Sequence, residues 1–371
     1  MRIINVVGAR PNFMKAAPVM KALHRVQGFE LMLVHTDQHY DENLSKIFFD
    51  ELGLPKPDVH LGVGSGTHTW QTAEIMMRFE KVIQQEKPSL LIVYGDVNST
   101  IACALVAAKL NIPVAHVEAG LRSFDRTMPE EINRILTDHL STYMFTTELS
   151  GNQNLVSEGI AADRVFFVGN VMVDTLFRLR PVAMASTILK ELDAEPQKYG
   201  LLTLHRPANV DDRETLNEIL EAIVSIAKTM PVFFPCHPRT KARLEESKLD
   251  CKGVRFLQPL GYLDFLCLMS QARLVLTDSG GIQEETTALG IACLTLRDNT
   301  ERPVTIEKGT NVLVGTSRAR ILAASEKVFN GNIERKRDLP ELWDGRAAER
   351  IATILQKQLT PATHEQVIQP S

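Results

Sequence analysis

Residues 90–120 read LLIVYGDVNSTIACALVAAKLNIPVAHVEAG. The apolar run Leu90 to Tyr94 is too short for a helix and is closed by Gly95-Asp96, which reads as a buried strand ending in a polar turn. Asn98 to Leu110 then reads as a helix, and Val114 to Val117 as the next strand. Two largely apolar strands joined by a helix describe a parallel sheet covered on both faces.

The same alternation extends in both directions. Further strands are predicted at Arg2 to Val7, Leu31 to His35, Tyr143 to Thr146 and Val165 to Val168, with helices near 12–27, 41–52, 68–87, 129–140 and 148–158. Leu179 to Tyr199 lacks a strand and carries Pro181 and Pro196, which places a domain boundary at about 170–185. A second series follows: strands at Gly200 to Leu204, Val232 to Pro235, Val254 to Phe256, Leu274 to Thr277, Ala292 to Leu296 and Asn311 to Val314. Its helices fall near 213–229, 262–271, 281–289 and 343–358. A length of 371 residues suits two such units. The expected fold is α/β: two Rossmann-like, doubly wound domains facing a cleft, followed by a polar tail at 360–371.

Composition narrows the function. The 41 Lys and Arg against 45 Asp and Glu leave a net charge of −4, which argues against nucleic-acid binding by bulk charge. No apolar stretch approaches the ~20 residues that span a bilayer, so no membrane association is expected and the chain reads as cytoplasmic. The cysteines at 103, 236, 251, 267 and 293 form no C-x-x-C pair, and the histidines show no H-E-x-x-H motif; neither a disulfide framework nor a metal is expected.

In a doubly wound fold, ligands meet the carboxyl ends of the strands, so the residues there carry the chemistry. After the first strand, Gly8-Ala9-Arg10-Pro11-Asn12-Phe13-Met14-Lys15 is not a dinucleotide fingerprint, and no nicotinamide cofactor is expected. Arg10 and Lys15 instead place cations at a helix start that already favours an anion. Asp96, Glu118 and Glu130-Glu131 stand at or just beyond strand ends. Asp96 also suits a helix cap and Glu131 a first-turn acid; Glu118 ends the run Val114 to Val117 and stands two residues before Gly120, which places a carboxylate where the strand opens into the cleft. In the second domain, Thr277-Asp278-Ser279-Gly280-Gly281 passes from strand to helix through two glycines, a geometry suited to a diphosphate, with Glu285 one turn on as an acceptor for ribose hydroxyls. His205-Arg206 and His237-Pro238-Arg239 end the first two strands of that domain, and Arg302 follows a later one.

Taken in order, these segments closely resemble the non-hydrolysing UDP-N-acetylglucosamine 2-epimerases. The resemblance rests on Gly8-Ala9-Arg10-Pro11…Lys15, Gln38-His39, Tyr94-Gly95-Asp96, His116-Val117-Glu118-Ala119-Gly120-Leu121-Arg122, Pro129-Glu130-Glu131…Asn133-Arg134, His205-Arg206, Asp278-Ser279-Gly280-Gly281…Glu284-Glu285 and Thr300-Glu301-Arg302-Pro303, across roughly residues 1–315. It implies a fold like the B-type glycosyltransferases, with catalytic carboxylates in residues 1–175 and UDP held by residues 176–359, the last helix returning to the first domain. It further implies Asp96, Glu118, Glu130 and His205 as catalytic. Arg10, Lys15, Arg134, His237, Phe265, Ser279, Gly280, Gly281, Glu285 and Arg302 would bind the UDP-sugar, with Phe265 at the uracil. Gln38, His39 and Arg206 are candidates for the cleft or an allosteric position. The implied reaction interconverts UDP-GlcNAc and UDP-ManNAc for cell-surface polysaccharide precursors, without metal or cofactor, in a homodimer.

Two segments depart from the commoner pattern. Thr-Gly-Gln-His appears as Thr36-Asp37-Gln38-His39, and His-Arg-Arg-Glu-Asn as His205-Arg206-Pro207-Ala208-Asn209. Both border the place where a second UDP-GlcNAc activates several family members. Gly-Ala-Arg-Pro with Phe13 also occurs in relatives acting on UDP-2,3-diacetamido-glucuronic acid, the first alternative substrate. Other readings are a B-type glycosyltransferase, a hydrolysing epimerase and a non-catalytic nucleotide-sugar binder; the last retains a phosphate site without needing the acids.

Overall fold

The computed structural model describes residues 1–38, 49–236, 251–331 and 339–360. β1 (Arg2–Val7), β2 (Glu30–His35), β3 (Val59–His60), β4 (Leu90–Tyr94), β5 (Val114–Ala119), β6 (Tyr143–Thr146) and β7 (Val165–Phe167) form one sheet, ordered β3-β2-β1-β4-β5-β6-β7. β8 (Gly200–Thr203), β9 (Val232–Pro235), β10 (Val254–Leu257), β11 (Leu274–Thr277), β12 (Cys293–Thr295) and β13 (Asn311–Leu313) form the other, ordered β10-β9-β8-β11-β12-β13. Every described pairing is parallel. The architecture is therefore the expected pair of α/β units. In each, the strand order reverses beside the unit's first strand, between β1 and β4 and between β8 and β11, and that reversal opens a crevice at the carboxyl ends.

β4 shows why an unbroken apolar run makes a strand here. Leu90, Ile92 and Tyr94 join the core beneath the Arg10–Leu23 helix, while Leu91 and Val93 join a second core with the His68–Glu86 and Asn98–Lys109 helices. Both faces are covered, so alternation disappears.

The Val171–Ala183 helix joins the two units. It packs against Arg10–Leu23 on one side and against Tyr262–Ser270 and Gly280–Leu289 on the other. Thr175 donates its hydroxyl hydrogen to the carbonyl of Met14 at 2.7 Å. The chain then returns: the Ala347–Leu359 helix packs on Arg10–Leu23, and Asp174 accepts the Ala347 and Ala348 N–H groups at 3.1 and 2.7 Å. Buried Trp343, just before it, donates to the Thr147 carbonyl at 2.9 Å.

Several elements differ from expectation. The stretch expected to hold a boundary at 170–185 is mostly the Val171–Ala183 helix, which carries Pro181 in its last turn. The edge strand β3 has only two residues and no periodicity to read. Arg318–Phe329 forms a further helix beyond the expected set, and the last helix starts at Ala347 rather than near 343. The helix expected at 41–52 lies largely outside the described residues.

Candidate active site

Glu118 is the least ordinary residue at the strand ends. It lies within β5, yet its φ is +76°, a left-handed value rare for a side chain with Cβ. The β5–β6 register slips between Val117 and Ala119, a bulge that re-aims the side chain. The carboxylate is buried and held from two directions. Lys15 Nζ, on the Arg10–Leu23 helix, lies 2.7 Å from Oε2, and Arg302 Nη2, from the other domain, donates to Oε1 at 3.3 Å. Gly95 permits this approach: a Cβ there would sit 2.8 Å from Lys15 Nζ, and the residue's φ is +62°. Lys15 and Arg302, both expected at a phosphate, are thus also the counter-ions of Glu118.

Asp96 follows Gly95 and is not a helix cap; the Asn98–Lys109 helix is preceded by Val97 without a side-chain cap. Arg134 Nη2 donates to Asp96 Oδ2 at 2.5 Å. Burial disfavours the Asp96 charge, but Arg134 and Lys15 outweigh it and hold its pKa below the usual value. Glu130, on the first turn of Pro129–Leu140, is half-buried and acts electrostatically on Arg206 across the cleft. Its neighbour Glu131 serves the backbone, accepting N–H from Ser123 at 3.0 Å and from Phe124 at 2.8 Å.

A layer behind these acids is not apparent in the sequence. His116 Nδ1 meets Asp138 Oδ1 at 2.7 Å and its Nε2 meets the Gly95 carbonyl at 2.8 Å. Asp138 also accepts the Gly120 N–H at 3.1 Å and pairs with Arg122 at 2.8 Å. This network fixes the backbone on both sides of Glu118. The Asp138 partner lies 22 residues from His116, so no local motif announces it.

The second domain supplies the facing wall. Asp278, fully buried after β11, accepts the N–H of His205 at 3.0 Å and of Arg206 at 2.9 Å, and its Oδ1 meets His205 Nδ1 at 2.7 Å. Nδ1 is engaged, the ring is 63% exposed, and Nε2 is the nitrogen left for chemistry. The Gly280–Leu289 helix begins after Ser279 without a side-chain cap, which leaves first-turn N–H groups for an anion. A Cβ on Gly280 would lie 2.3 Å from Arg302 Nη1, so protein packing demands that glycine; one on Gly281 would meet only Met172 Cε at 3.6 Å. Gly281 has no crowding of its own to explain it.

Arg302 is the hub of this wall. Besides Glu118, its Nε lies 2.8 Å from Glu284 Oε1, and its Nη1 pairs with Glu301. Burial opposes the Arg302 charge, yet Glu284, Glu301 and Glu118 outweigh it and raise its pKa further. Burial likewise pushes the Glu284 carboxyl up to about 7. Glu301 runs the other way: Arg302 and Arg297 overcome its burial and hold it well below the usual range. Glu284 and Glu301 stand in the motifs that carry the resemblance, but the sequence assigns neither a role.

The remaining candidates are dispersed. Glu285 is buried and accepts the Tyr262 hydroxyl at 2.7 Å; burial lifts its pKa to about 7. Phe265 is half-buried on the same helix as Tyr262. Arg10 opens its helix on the exposed side, and Arg206 donates Nε–H to the Asp278 carbonyl at 3.0 Å. Gln38 is occupied structurally: its Oε1 accepts from Ser99 N at 3.0 Å and Ser99 Oγ at 2.7 Å. His39 and His237 lie outside the described residues. The structure thus gathers carboxylates, counter-ions, an oriented imidazole and an uncapped helix start in one crevice.

Comparison with known proteins places this arrangement. The family model described as UDP-N-acetylglucosamine 2-epimerase matches residues 21–356. The UDP-N-acetylglucosamine 2-epimerase of Methanocaldococcus jannaschii is 45% identical over 96% of this chain and 99% of its own length. The UDP-2,3-diacetamido-2,3-dideoxy-D-glucuronate 2-epimerase of Pseudomonas aeruginosa is 43% identical over 96% of this chain and 100% of its own. The crystal structure of the M. jannaschii enzyme in complex with UDP-GlcNAc and UDP superposes with a TM-score of 0.89 at 44% identity, covering 96% of this chain and all of that one.

Proposed function

We infer the function from one premise: the chain belongs to the UDP-N-acetylglucosamine 2-epimerase family. It is an isomerase that inverts C2 of UDP-GlcNAc, giving UDP-ManNAc, and the reverse. The observation that carries the reading to residues is Glu118: a carboxylate in a left-handed backbone conformation, gripped by cations of both domains.

The C2–H of an N-acetylhexosamine is not adjacent to a carbonyl, so its removal must accompany departure of UDP from C1. Anti elimination gives 2-acetamidoglucal and UDP; protonation on the other face and re-addition of UDP gives the epimer. That route needs proton donors and acceptors on both faces, and Asp96, Glu118, Glu130 and His205 are the groups assigned to it. The leaving diphosphate is retained at the Ser279–Gly281 helix start, with Arg10 beside it. Glu285 and Phe265 are assigned to ribose and uracil. Arg302, held against Glu118, couples domain closure to the position of that carboxylate.

The close P. aeruginosa relative supports a second reading, in which the sugar is 2,3-diacetamido-glucuronic acid. Proton NMR in D₂O with each UDP-sugar, without acceptor or metal, separates the two. UDP-ManNAc carrying deuterium at C2, with no accumulation of free UDP, supports the first. Turnover of the diacetamido-uronate alone supports the second, and stoichiometric UDP release would overturn both.

The active form is a homodimer on this reading. Trp70 and Met77 stand exposed on His68–Glu86, and Ile132 and Leu136 on Pro129–Leu140, apolar surface that a second copy would cover. A monomer mass by light scattering would contradict it. The cytoplasm is the assigned location: Cys103, Cys267 and Cys293 carry free thiols, and no described helix is long and apolar enough to cross a membrane.

A further inference from the structure

One departure from the family pattern, Asp37 in place of glycine, is not used by the reaction. It lies just past β2, where β2 pairs with the edge strand β3 in a register that sets His35 directly beside His60. The two imidazole centroids are 5.5 Å apart, with planes at 65°. Asp37 Oδ1 is in direct contact with His35 Nδ1 and lies 3.1 Å from His60 Nδ1. Three ligand-type atoms therefore converge from one strand end and its neighbour, all within 4.8 Å of one another.

We propose that His35, Asp37 and His60 bind a divalent transition-metal ion, with zinc(II) the best match to two imidazoles and one carboxylate. Zinc takes nitrogen and oxygen ligands at ~2.0–2.2 Å in a tetrahedron, which spaces ligand atoms roughly 3.3 Å apart. The His60–Asp37 pair already has that spacing. The ion would enter by replacing the direct contact between His35 and Asp37.

Three further observations favour a built site. Asp37 holds a φ of +58°, a left-handed conformation that glycine adopts freely and aspartate only at a cost. Its carboxylate is fixed in place, Oδ2 accepting the Gly62 N–H at 2.8 Å. His35 is buried, and its Nε2 has no hydrogen-bond partner among the described residues; Nδ1, aimed at Asp37, is its one working nitrogen. The His60 side chain is 58% exposed, which gives the ion an entry path and a water as fourth ligand. A bound ion would pin the edge strand β3 to the end of β2.

The test is calorimetric titration of zinc(II) chloride into the chelator-stripped full chain, alongside Asp37→Gly and His60→Ala. Asp37→Gly suits the native backbone and His60→Ala alters an exposed side chain, so both variants fold; far-UV circular dichroism checks this. The expected result is one zinc per chain, a raised melting temperature on saturation, and at least tenfold weaker binding in each variant. Absence of binding by the parent chain would overturn the proposal, leaving a hydrogen-bonded His-Asp-His cluster. Binding unchanged in either folded variant would overturn it equally, since the ion would then sit elsewhere.

Discussion

Glu118 keeps a left-handed φ inside a strand because its neighbours over-determine it: the bulge at Val117–Ala119, Lys15, Arg302 and the His116–Asp138 layer all act on the same few atoms. Strain of this kind is found where geometry matters more than stability. Glu118→Gln preserves the shape and removes the proton acceptor. Turnover should fall by about 10²–10⁴, the usual worth of a general base, with UDP affinity within a few-fold because UDP is assigned to the other domain. Steady-state kinetics with UDP titration check both; a large loss of UDP affinity would remove Glu118 from the proposed role. At this scale the sequence identified Asp96 and Glu118 as candidates. It did not reveal that Lys15 and Arg302 are bound to Glu118, since those contacts join residues 103 and 184 positions apart.

Among the elements, the start of the Gly280–Leu289 helix separates packing from ligand binding. Gly280→Ala forces a Cβ against Arg302 Nη1 and Glu301 Oε1, at 2.3 and 2.7 Å, and should destabilise the fold by ~1–3 kcal/mol. Gly281→Ala meets only Met172 Cε at 3.6 Å and should leave the melting temperature unchanged or slightly raised. Its UDP affinity should nonetheless fall tenfold or more, because the added methyl group occupies the approach assigned to the diphosphate. Melting curves and UDP titration of the two variants decide this; undiminished affinity in Gly281→Ala would move the diphosphate elsewhere. The strand-to-helix turn was readable because glycines, strand and helix are contiguous. The Val171–Ala183 helix was obscured by Pro181 and by the expectation of a domain boundary there, although Asn170 caps it through the Met172 N–H at 2.8 Å.

Across the whole molecule, closure brings carboxylates of the two domains together in a buried crevice. Glu148 of the first domain and Glu284 and Glu285 of the second are each pushed up to about 7, chiefly by burial. A carboxyl raised on folding binds more protons in the folded than in the unfolded state. Its stabilising contribution is therefore full below the unfolded value of about 4.5 and is lost as pH rises through about 7. Asp96, Asp138 and Asp278 are shifted downward, so theirs is lost only as pH falls below the ordinary carboxylate range. Stability should accordingly decline between about pH 5 and pH 8, with Glu285 contributing on the order of 3 kcal/mol. Glu285→Gln, which keeps an acceptor for Tyr262, should flatten that part of the melting-temperature profile; an unchanged slope would exclude Glu285 as a source.

The two α/β units and the polar residues at their strand ends are legible along the chain, because strand, turn and helix are local patterns that hydrophobic periodicity and glycine placement specify within a few residues. The sequence by itself also determined the family, through motifs spread along most of the chain. Tertiary structure decided which charges meet. Lys15 and Arg302 reach Glu118 only once two sheets face each other, the last helix finds Asp174 only after the chain has folded back, and His60 stands beside His35 only through β2–β3 pairing. Ion pairing and hydrogen bonding act over a few ångströms in space and are indifferent to separation along the chain.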